Sequence, residues 1–497
     1  MPNDFDNIFD NFDLDNVFKE KYVATTPVAD SQLLLPTGKL ITLNDDQFTG
    51  VNKTKQWLNS DKNFFTIAGY AGTGKSTIVK KILDNYHRGV IVSAPTHKAK
   101  KIVSNVTGRE GKTMHSLLGL RPDCSIENFN PNSPEFQPIA PQKITDYNLV
   151  IIDEASMLPR KLYELLKEII SGSKTKILFV GDSAQLPPVQ EVMSCVFTDK
   201  DIIVHYLTKV ERQCNSNPLM PIYDALRNNL NSYDGGYNRI TNINDLGEGI
   251  QFTIDKREFR KLILEKFSTD EFKKDTDFVR GLAWKNDTVM SANKVIRDEL
   301  FEHTTDIIEL NDVLMGYRTV TNERQIYNII ENSADYRVVD KSKLEENSYG
   351  INGYHVKLRE ELAHGKFKFD DVFIIDSNDH ENLHLYAQMH DFFRDMGKDD
   401  KRKWKKYYEF RRCNLLMVNI NKYHSGLYRS SGDVIVKDID YGYFLTVHKS
   451  QGSTYQHVMC MENDMNDNQN IVERNKLRYV AFSRPEKSCT VLTTKLD

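Results

Sequence analysis

The sequence predicts an α/β protein built on parallel sheets, on three observations. Short apolar, β-branched runs alternate with stretches of helical spacing, a polar cluster follows each run at its C-terminal end, and the first of these clusters is a glycine-rich turn. Strand–helix alternation marks βαβ units, and open α/β sheets bind ligands at the carboxyl ends of their strands.

The elements follow in order. Phe64-Phe65-Thr66-Ile67-Ala68 reads as a strand, and the stretch from Ser76 to Leu83 has apolar positions at 78, 79, 82 and 83, the spacing of a helix. Between them, Gly69-Tyr70-Ala71-Gly72-Thr73-Gly74-Lys75-Ser76 fits the pattern G-x-x-x-x-G-K-S/T. A glycine turn in that setting lets backbone N–H groups and a helix N-terminus surround phosphate oxygens. The loop, with Thr77 after it, is expected to hold a nucleoside triphosphate, Lys75 reaching the β/γ-phosphates and the Ser76 hydroxyl binding Mg2+.

Three further strands end in polar clusters: Gly89 to Ala94 in Pro95-Thr96-His97-Lys98, Leu149 to Ile152 in Asp153-Glu154, and Ile177 to Val180 in Gly181-Asp182-Ser183-Ala184-Gln185. Asp153, at the end of a buried strand, suits magnesium held through a water shell. Glu154 suits the acceptance of a proton from attacking water, and Gln185 a hydrogen bond to that water or to the γ-phosphate. ATP and Mg2+ are the cofactors this chemistry implies.

Composition narrows the class. Apolar residues make up 39% and charged residues 27% of 497 positions, which suits a globular protein of about three to four domains. The six cysteines are scattered without a C-x-x-C pair, so reduced thiols and a cytoplasmic setting (host cytoplasm for a viral protein) are expected. No apolar stretch approaches a membrane span, so no membrane partner is expected. A net charge of −4 argues against a wholly basic nucleic-acid coat but is compatible with a basic channel. The first 39 residues alternate acids and amides with large apolar groups, as in Asp4-Phe5-Asp6-Asn7-Ile8-Phe9. Two readings fit them: a flexible tail, or a segment that docks on a single-strand-binding, replication or recombination protein.

The ordered set resembles the motifs of superfamily 1 helicases, more narrowly the 5′-to-3′ branch 1B that holds the Pif/RecD-like enzymes and the phage Dda helicase. Thr96-His97-Lys98-Ala99-Lys100-Lys101 resembles motif Ia, Thr113-Met114-His115-Ser116-Leu117-Leu118-Gly119 motif Ib, and Gly181 to Val189 motif III. Leu43-Asn44-Asp45-Asp46-Gln47 is similar to the Q motif, with Gln47 as adenine reader; a helix start capped by Asn44 explains the same residues. Leu207 to Gln213 resembles motif IV, Tyr443 to Thr454 motif V, and Leu477-Arg478-Tyr479-Val480-Ala481-Phe482-Ser483-Arg484 motif VI. Thr454 stands where the other branch of the superfamily has a ribose-binding glutamate.

The resemblance implies two RecA-like parallel-sheet motor domains, a small β insertion in the first and an SH3-like β-barrel insertion in the second. The expected division is an acidic tail at 1–39, motor domain 1A at 40–195 with a pin at about 120–143, motor domain 2A at 196–314 and 436–497, and domain 2B at 315–435. It also implies a guanidinium supplied across the cleft to the transferring phosphoryl group, with Arg484 the first candidate and Arg212 the second. Pro95, Thr96, His97, Lys98, Thr113, His115, Ser116, Asn286, Thr446 and His448 are the candidate contacts to DNA backbone and bases. Phe129 and Phe136 are candidate wedge residues of the pin, and packed surface aromatics explain them equally. The basic run from Lys401 to Arg412, interleaved with Trp404, Tyr407, Tyr408 and Phe410, suits a nucleic-acid strand or a solvated helix with inward aromatics.

The function implied is an ATP-dependent DNA helicase, expected to act as a monomer, that moves 5′ to 3′ on single-stranded DNA and opens forked duplexes. The alternative is a nucleic-acid-stimulated translocase that remodels RNA or displaces proteins without strand separation.

Overall fold

The computed structural model describes residues 31–34, 40–84, 86, 89–109, 111–120, 141–188, 190–209, 217–323, 327–421 and 434–497. The acidic tail through residue 30, Phe129, Phe136 and Arg212 lie outside them.

The first sheet is parallel throughout, in the order Lys112–Thr113, Val90–Ala94, Leu149–Ile152, Lys176–Gly181, Phe64–Gly69, Ile203–Leu207. Its central strands are apolar at consecutive positions because helices cover both faces. The period-two alternation of side chains divides them between two cores. Phe64, Ala68, Val150, Ile152, Ile177 and Phe179 pack on one face. Phe65, Ile67, Leu149, Ile151, Leu178 and Val180 pack on the other. The phosphate loop, Asp153-Glu154 and Asp182 therefore all emerge along one carboxyl edge.

The second sheet runs Phe444–Thr446, Val279–Ala283, Tyr455–Met461, Pro485–Leu492, Gly249–Thr253, Asn242–Ile243, parallel except for its last strand. Its first strand is contributed by sequence more than 160 residues after its neighbour, and Asn293 helps to seat it. The Asn293 amide donates to the carbonyls of Tyr441 and Phe444 at 3.2 and 3.1 Å and accepts the Phe444 N–H at 2.7 Å. Arg297 on the same helix, Asn286–Leu300, pairs with the buried Asp312 at 3.0 Å.

A third sheet is antiparallel. Glu345–Glu346, Asn352–Glu361, Asp335–Lys341, Val313–Gly316 and Ile439–Tyr441 lie in that order, with Phe367–Ile375 on the free side of Asn352–Glu361. Two of these strands fall where the sequence alternates, at 335–339 and 353–358. Helices His380–Asp399 and Trp404–Cys413 cover one face, burying Leu383, Tyr386 and Phe410 against Ile351, Phe373 and Ile375. In the basic run, Lys405 and Lys406 face solvent while Trp404, Tyr407 and Tyr408 turn at least partly inward, the solvated-helix arrangement.

Gly281 lies where the first two strands of the second sheet meet, and a Cβ there would overlap the Phe444 ring. Gly281→Ala is expected to destabilise the fold by about 1–3 kcal/mol, the usual effect of overpacking, read as a lower thermal midpoint with ATP binding retained by the folded fraction.

Candidate nucleotide cleft and nucleic-acid contacts

The phosphate loop turns on two glycines. Gly72 and Gly74 have φ of 81° and 80°, in the left-handed region, and a Cβ on Gly74 would run into the Gln47 carboxamide. Lys75 Nζ donates to the carbonyls of Gly69 at 2.7 Å and Tyr70 at 3.0 Å. Both acceptors are neutral, so the charged oxygens of a phosphate would displace them. Gln47 closes a capping box, taking the Asn44 N–H on Oε1 at 3.1 Å while its own N–H donates to Asn44 Oδ1 at 2.9 Å. Its Nε2 also donates to the Thr73 carbonyl at 3.0 Å, bracing the loop. Reading an adenine edge would take both ends of that carboxamide away from these bonds.

Asp153 and Glu154 follow the buried strand Leu149–Ile152, and Asp153 Oδ1 accepts the Glu154 N–H at 2.9 Å. Burial, then the charge of Glu154, push the Asp153 carboxyl up to about 7 against the opposing charge of Lys75. This carboxylate is short of positive charge. A carboxylate oxygen of this kind suits a hard divalent cation whose other ligands are water and phosphate oxygens. Among the described residues, no group of three or more His, Cys, Asp or Glu forms a metal cage. Glu154 has φ 52°, a left-handed conformation that costs a non-glycine residue about 1–3 kcal/mol. Gly181 lets the segment after it pack closely, since a Cβ there would lie 3.1–3.2 Å from the Ser156 and Ala155 nitrogens. Gln185 is 4% exposed, and its Oε1 has no hydrogen-bond partner among the described residues.

The second half of the chain meets this edge directly. The Tyr479 hydroxyl accepts the Ala71 N–H at 3.1 Å and donates to Asp182 Oδ2 at 2.8 Å. Gln451 Nε2 donates to the Leu186 carbonyl at 3.2 Å. Gly452 has φ 69°, and a Cβ on it would lie 2.8 Å from Ala99 Cβ and 3.4 Å from Glu154 Cγ. Arg484 is buried between the motif V and motif VI segments, its Nε on the Val480 carbonyl, Nη1 on the Ser453 carbonyl (3.0 Å each) and Nη2 on Ser483 Oγ at 2.9 Å. Among the described residues no carboxylate pairs with it. The Arg227 guanidinium lies 4.4 Å over the Tyr70 ring, a contact with the phosphate loop that the sequence did not signal. Ahead of Arg212, Asp46 holds Thr208 by its N–H at 3.0 Å and its hydroxyl at 2.6 Å.

The candidate nucleic-acid contacts divide into two kinds. Thr96, Thr113 and Thr446 accept the N–H groups of Ala99, Ser116 and Lys449 at 3.2, 3.3 and 3.3 Å, which fixes the turns they begin. Ser116 and Asn286 are exposed, while Pro95, His115 and His448 are half-buried. Burial lowers the His448 pKa against the opposing charge of Glu473, which favours the neutral ring. His97 and Lys98, by contrast, are already engaged. His97 lies 3.1 Å from Glu331 and 3.7 Å from Glu360, and Lys101 3.7 Å from Glu361. Lys98 pairs with Asp277 at 2.6 Å and Asp335 at 2.7 Å. Burial alone pulls the Lys98 ammonium down, but the two carboxylates more than reverse this and hold its pKa above the ordinary value. Burial likewise acts to raise the Glu331 carboxyl, and the hydrogen bond and charge of His97 bring it down to about 2. Through these pairs, helix His97–Thr107 is fastened to the third sheet.

A cavity of about 510 Å³ opens at the carboxyl ends of the second sheet, beside Asn286, with Lys256, Lys285, Thr288, Asp464, Thr493 and Thr494 in its wall. Asp464 caps the neighbouring helix from outside, accepting the N–H groups of Trp284 and Lys285 at 2.7 and 2.8 Å and the Thr288 hydroxyl at 2.7 Å. Asn286 carried a sequence signal. Asp464 carried none, because it lies 180 positions away from the backbone it caps.

Comparison with known proteins adds the following. Residues 42–238 match the family model of an AAA domain, and residues 441–492 that of a UvrD-like helicase C-terminal domain. The chain is 31% identical over 275 residues to the ATP-dependent DNA helicase Dda of Enterobacteria phage T4, covering 54% of this chain and 59% of Dda. It is 34% identical over 191 residues to the ATP-dependent RecD2 DNA helicase of Deinococcus radiodurans, covering 35% of this chain and 25% of that one. The matched stretches thus span less than two thirds of either relative. A solved structure of two Pif1 helicases at forked double-stranded DNA superposes with a TM-score of 0.50 at 16% identity, over 92% of this chain and 93% of that one, a likeness of fold.

The buried lysine offers a direct check. Lys98→Met leaves Asp277 and Asp335 with only Arg280 to share, Arg280 lying 2.9 Å from Asp335. The expected loss is about 3 kcal/mol, the lower end for breaking a buried ion pair. Chemical denaturation measures it, and partial recovery in Lys98→Met/Asp277→Asn would tie the loss to the stranded charge.

Proposed function

We propose that the chain belongs with the superfamily 1B, Pif/RecD-like helicases that it resembles, and that it is an ATP-dependent DNA helicase that moves 5′ to 3′ along single-stranded DNA and opens duplexes. The observation that carries this reading is the contact across the cleft. The motif VI helix of the second sheet touches the phosphate loop of the first through Tyr479 and Ala71, so one nucleotide site is built by two bodies. A site of that kind changes shape with its occupant, and the change can move a bound strand.

The residues divide the work by position. Backbone N–H groups of residues 69–77 and the Lys75 ammonium bind the phosphates. Ser76 and Asp153 would hold magnesium, which when bound neutralises charge on the β- and γ-phosphate oxygens. Glu154 accepts the proton of the attacking water, and Gln185, whose Oε1 is unpartnered, orients it. Arg484, satisfied here only by neutral acceptors, turns to the transferring phosphoryl group as the cleft closes, with Arg212 as the second cation. Single-stranded and forked duplex DNA are the proposed partners. Thr96, Thr113, Ser116, Asn286, Thr446 and His448 supply contacts that grip without reading sequence. The insertion proposed as domain 2B at 315–435 corresponds to the third sheet, whose first and last strands, Val313–Gly316 and Ile439–Tyr441, reach just beyond those bounds, and the SH3-like reading applies to it.

Two measurements test this. Duplexes with a 5′ or a 3′ overhang, incubated with ATP, should be opened only from the 5′ overhang, and Glu154→Gln and Lys75→Ala should each reduce turnover by roughly 100-fold or more. Opening from the 3′ overhang would reject the polarity, and hydrolysis without opening would favour a translocase. Arg484→Ala should cut kcat by about 1,000-fold while ATP binding, followed by fluorescence of a labelled analogue, stays within about twofold.

A further inference from the structure

Tyr479 belongs to neither half alone. It lies on the helix Ile471–Phe482, 1% exposed, yet among the described residues its hydroxyl is hydrogen-bonded only to groups of the first sheet's edge, Ala71 N–H at 3.1 Å and Asp182 Oδ2 at 2.8 Å. Asp182 is fully buried, and its other oxygen accepts the Ala184 N–H at 2.9 Å. The carbonyl of Asp182 takes the Gln185 N–H at 3.2 Å. Asp182 thus organises the turn that carries Gln185, and Gln185 has a buried Oε1 with no partner among the described residues. A carboxamide oxygen left unsatisfied in a buried place is costly unless it serves a ligand, and here its residue follows, three positions on, the carboxylate that the opposite half controls.

We propose that Tyr479 is a positioning residue that makes ATP hydrolysis conditional on closure. Its hydroxyl holds Asp182, and through it Gln185, in the water-orienting arrangement only while the helix Ile471–Phe482 is docked on the phosphate loop. The relay rests on the reading of the cleft as a nucleotide hydrolase. No proton leaves the phenol. Burial, then the charge of Asp182, raise the Tyr479 pKa well above its ordinary value, which keeps the hydroxyl a donor. When the halves separate, Asp182 Oδ2 loses its donor and the Gln185 turn loses its anchor, so hydrolysis is suppressed in the open state. The same hydroxyl accepts from the phosphate loop, so one atom registers both the loop and the turn.

Tyr479→Phe removes a single oxygen and keeps the ring that packs among Leu477, Phe482 and Ala184 in the second core. With the full chain and single-stranded oligonucleotide, kcat for ATP should fall about 10- to 100-fold, the effect of losing one charge-assisted hydrogen bond made in the competent state. KM for ATP should stay within about twofold and the thermal midpoint should hold. Asp182→Asn should give a similar fall, and Tyr479→Phe/Asp182→Asn no more than the worse single change, because both cut one path. Unchanged kcat in Tyr479→Phe, or losses that multiply in the double variant, would overturn the relay while Lys75→Ala still reports a working ATPase. A rise in KM equal to the loss in kcat/KM would overturn it in favour of simple nucleotide binding. Wild-type hydrolysis indifferent to oligonucleotide would bring down the motor reading and the relay with it.

Discussion

The relation between the two parallel sheets depends on one helix that has no solvent face. Every residue of Ile471–Phe482 from Arg474 onward is buried. A helix of this kind cannot belong to one sheet alone, because a sheet covers a single face. On one side Leu477 and Val480 join the core of the second sheet. On the other, Tyr479 reaches Ala71 and Asp182, and Lys476 donates to the Val192 carbonyl at 3.3 Å. Two of its polar residues are matched to backbone: Asn475 Nδ2 donates to the carbonyls of Leu230 and Ser232 at 2.9 and 2.6 Å, and Arg474 Nη2 to that of Tyr233 at 2.9 Å. Those bonds offset the cost of burying amide and guanidinium groups, and they leave the helix end facing the phosphate loop.

The sequence made the first sheet legible because its strands are continuous apolar runs and its loops end in chemically distinctive clusters. The phosphate loop, Asp153-Glu154 and Gly181 to Gln185 needed no tertiary information, since each is a strand end read locally. The second sheet was legible mainly through resemblance: Phe444–Thr446 is three residues long, and it pairs with Val279–Ala283 across a long inserted stretch. Contacts between distant segments carried no local signal at all. Tyr479 with Asp182, Asp464 with Trp284, and Lys98 with Asp335 join residues 297, 180 and 237 positions apart. Gln47 shows the opposite limit. Its segment implied an adenine reader or a capped helix start, and its carboxamide makes the cap together with a phosphate-loop contact that carried no signal in the sequence.

Charge is distributed unevenly over the molecule, and the contrast separates scaffold from site. Where the first helix of the candidate DNA grip meets the third sheet, cations and carboxylates are matched closely, with Lys98, Arg280 and Asp335 buried and Asp277 at their edge. Around the phosphate loop they are unmatched: Lys75 and Arg484 rest on neutral carbonyls, and the Asp153 carboxyl is pushed up to about 7. Unsatisfied charge of both signs, gathered on the carboxyl edge of a rigid sheet and joined by a strained Glu154, is the arrangement of a site preorganised for a charged ligand.

The third sheet begins and ends at one doorway. Val313–Gly316 leads into it and Ile439–Tyr441 leads out, and these two strands lie side by side, Leu314 opposite Tyr441. The chain enters and leaves this sheet at one place, and the pairs of His97, Lys98 and Lys101 with Glu331, Asp335 and Glu361 give it a second hold on the first half. A graft of this appendage would have to carry both the paired threads of the doorway and the carboxylates that His97 and Lys98 hold.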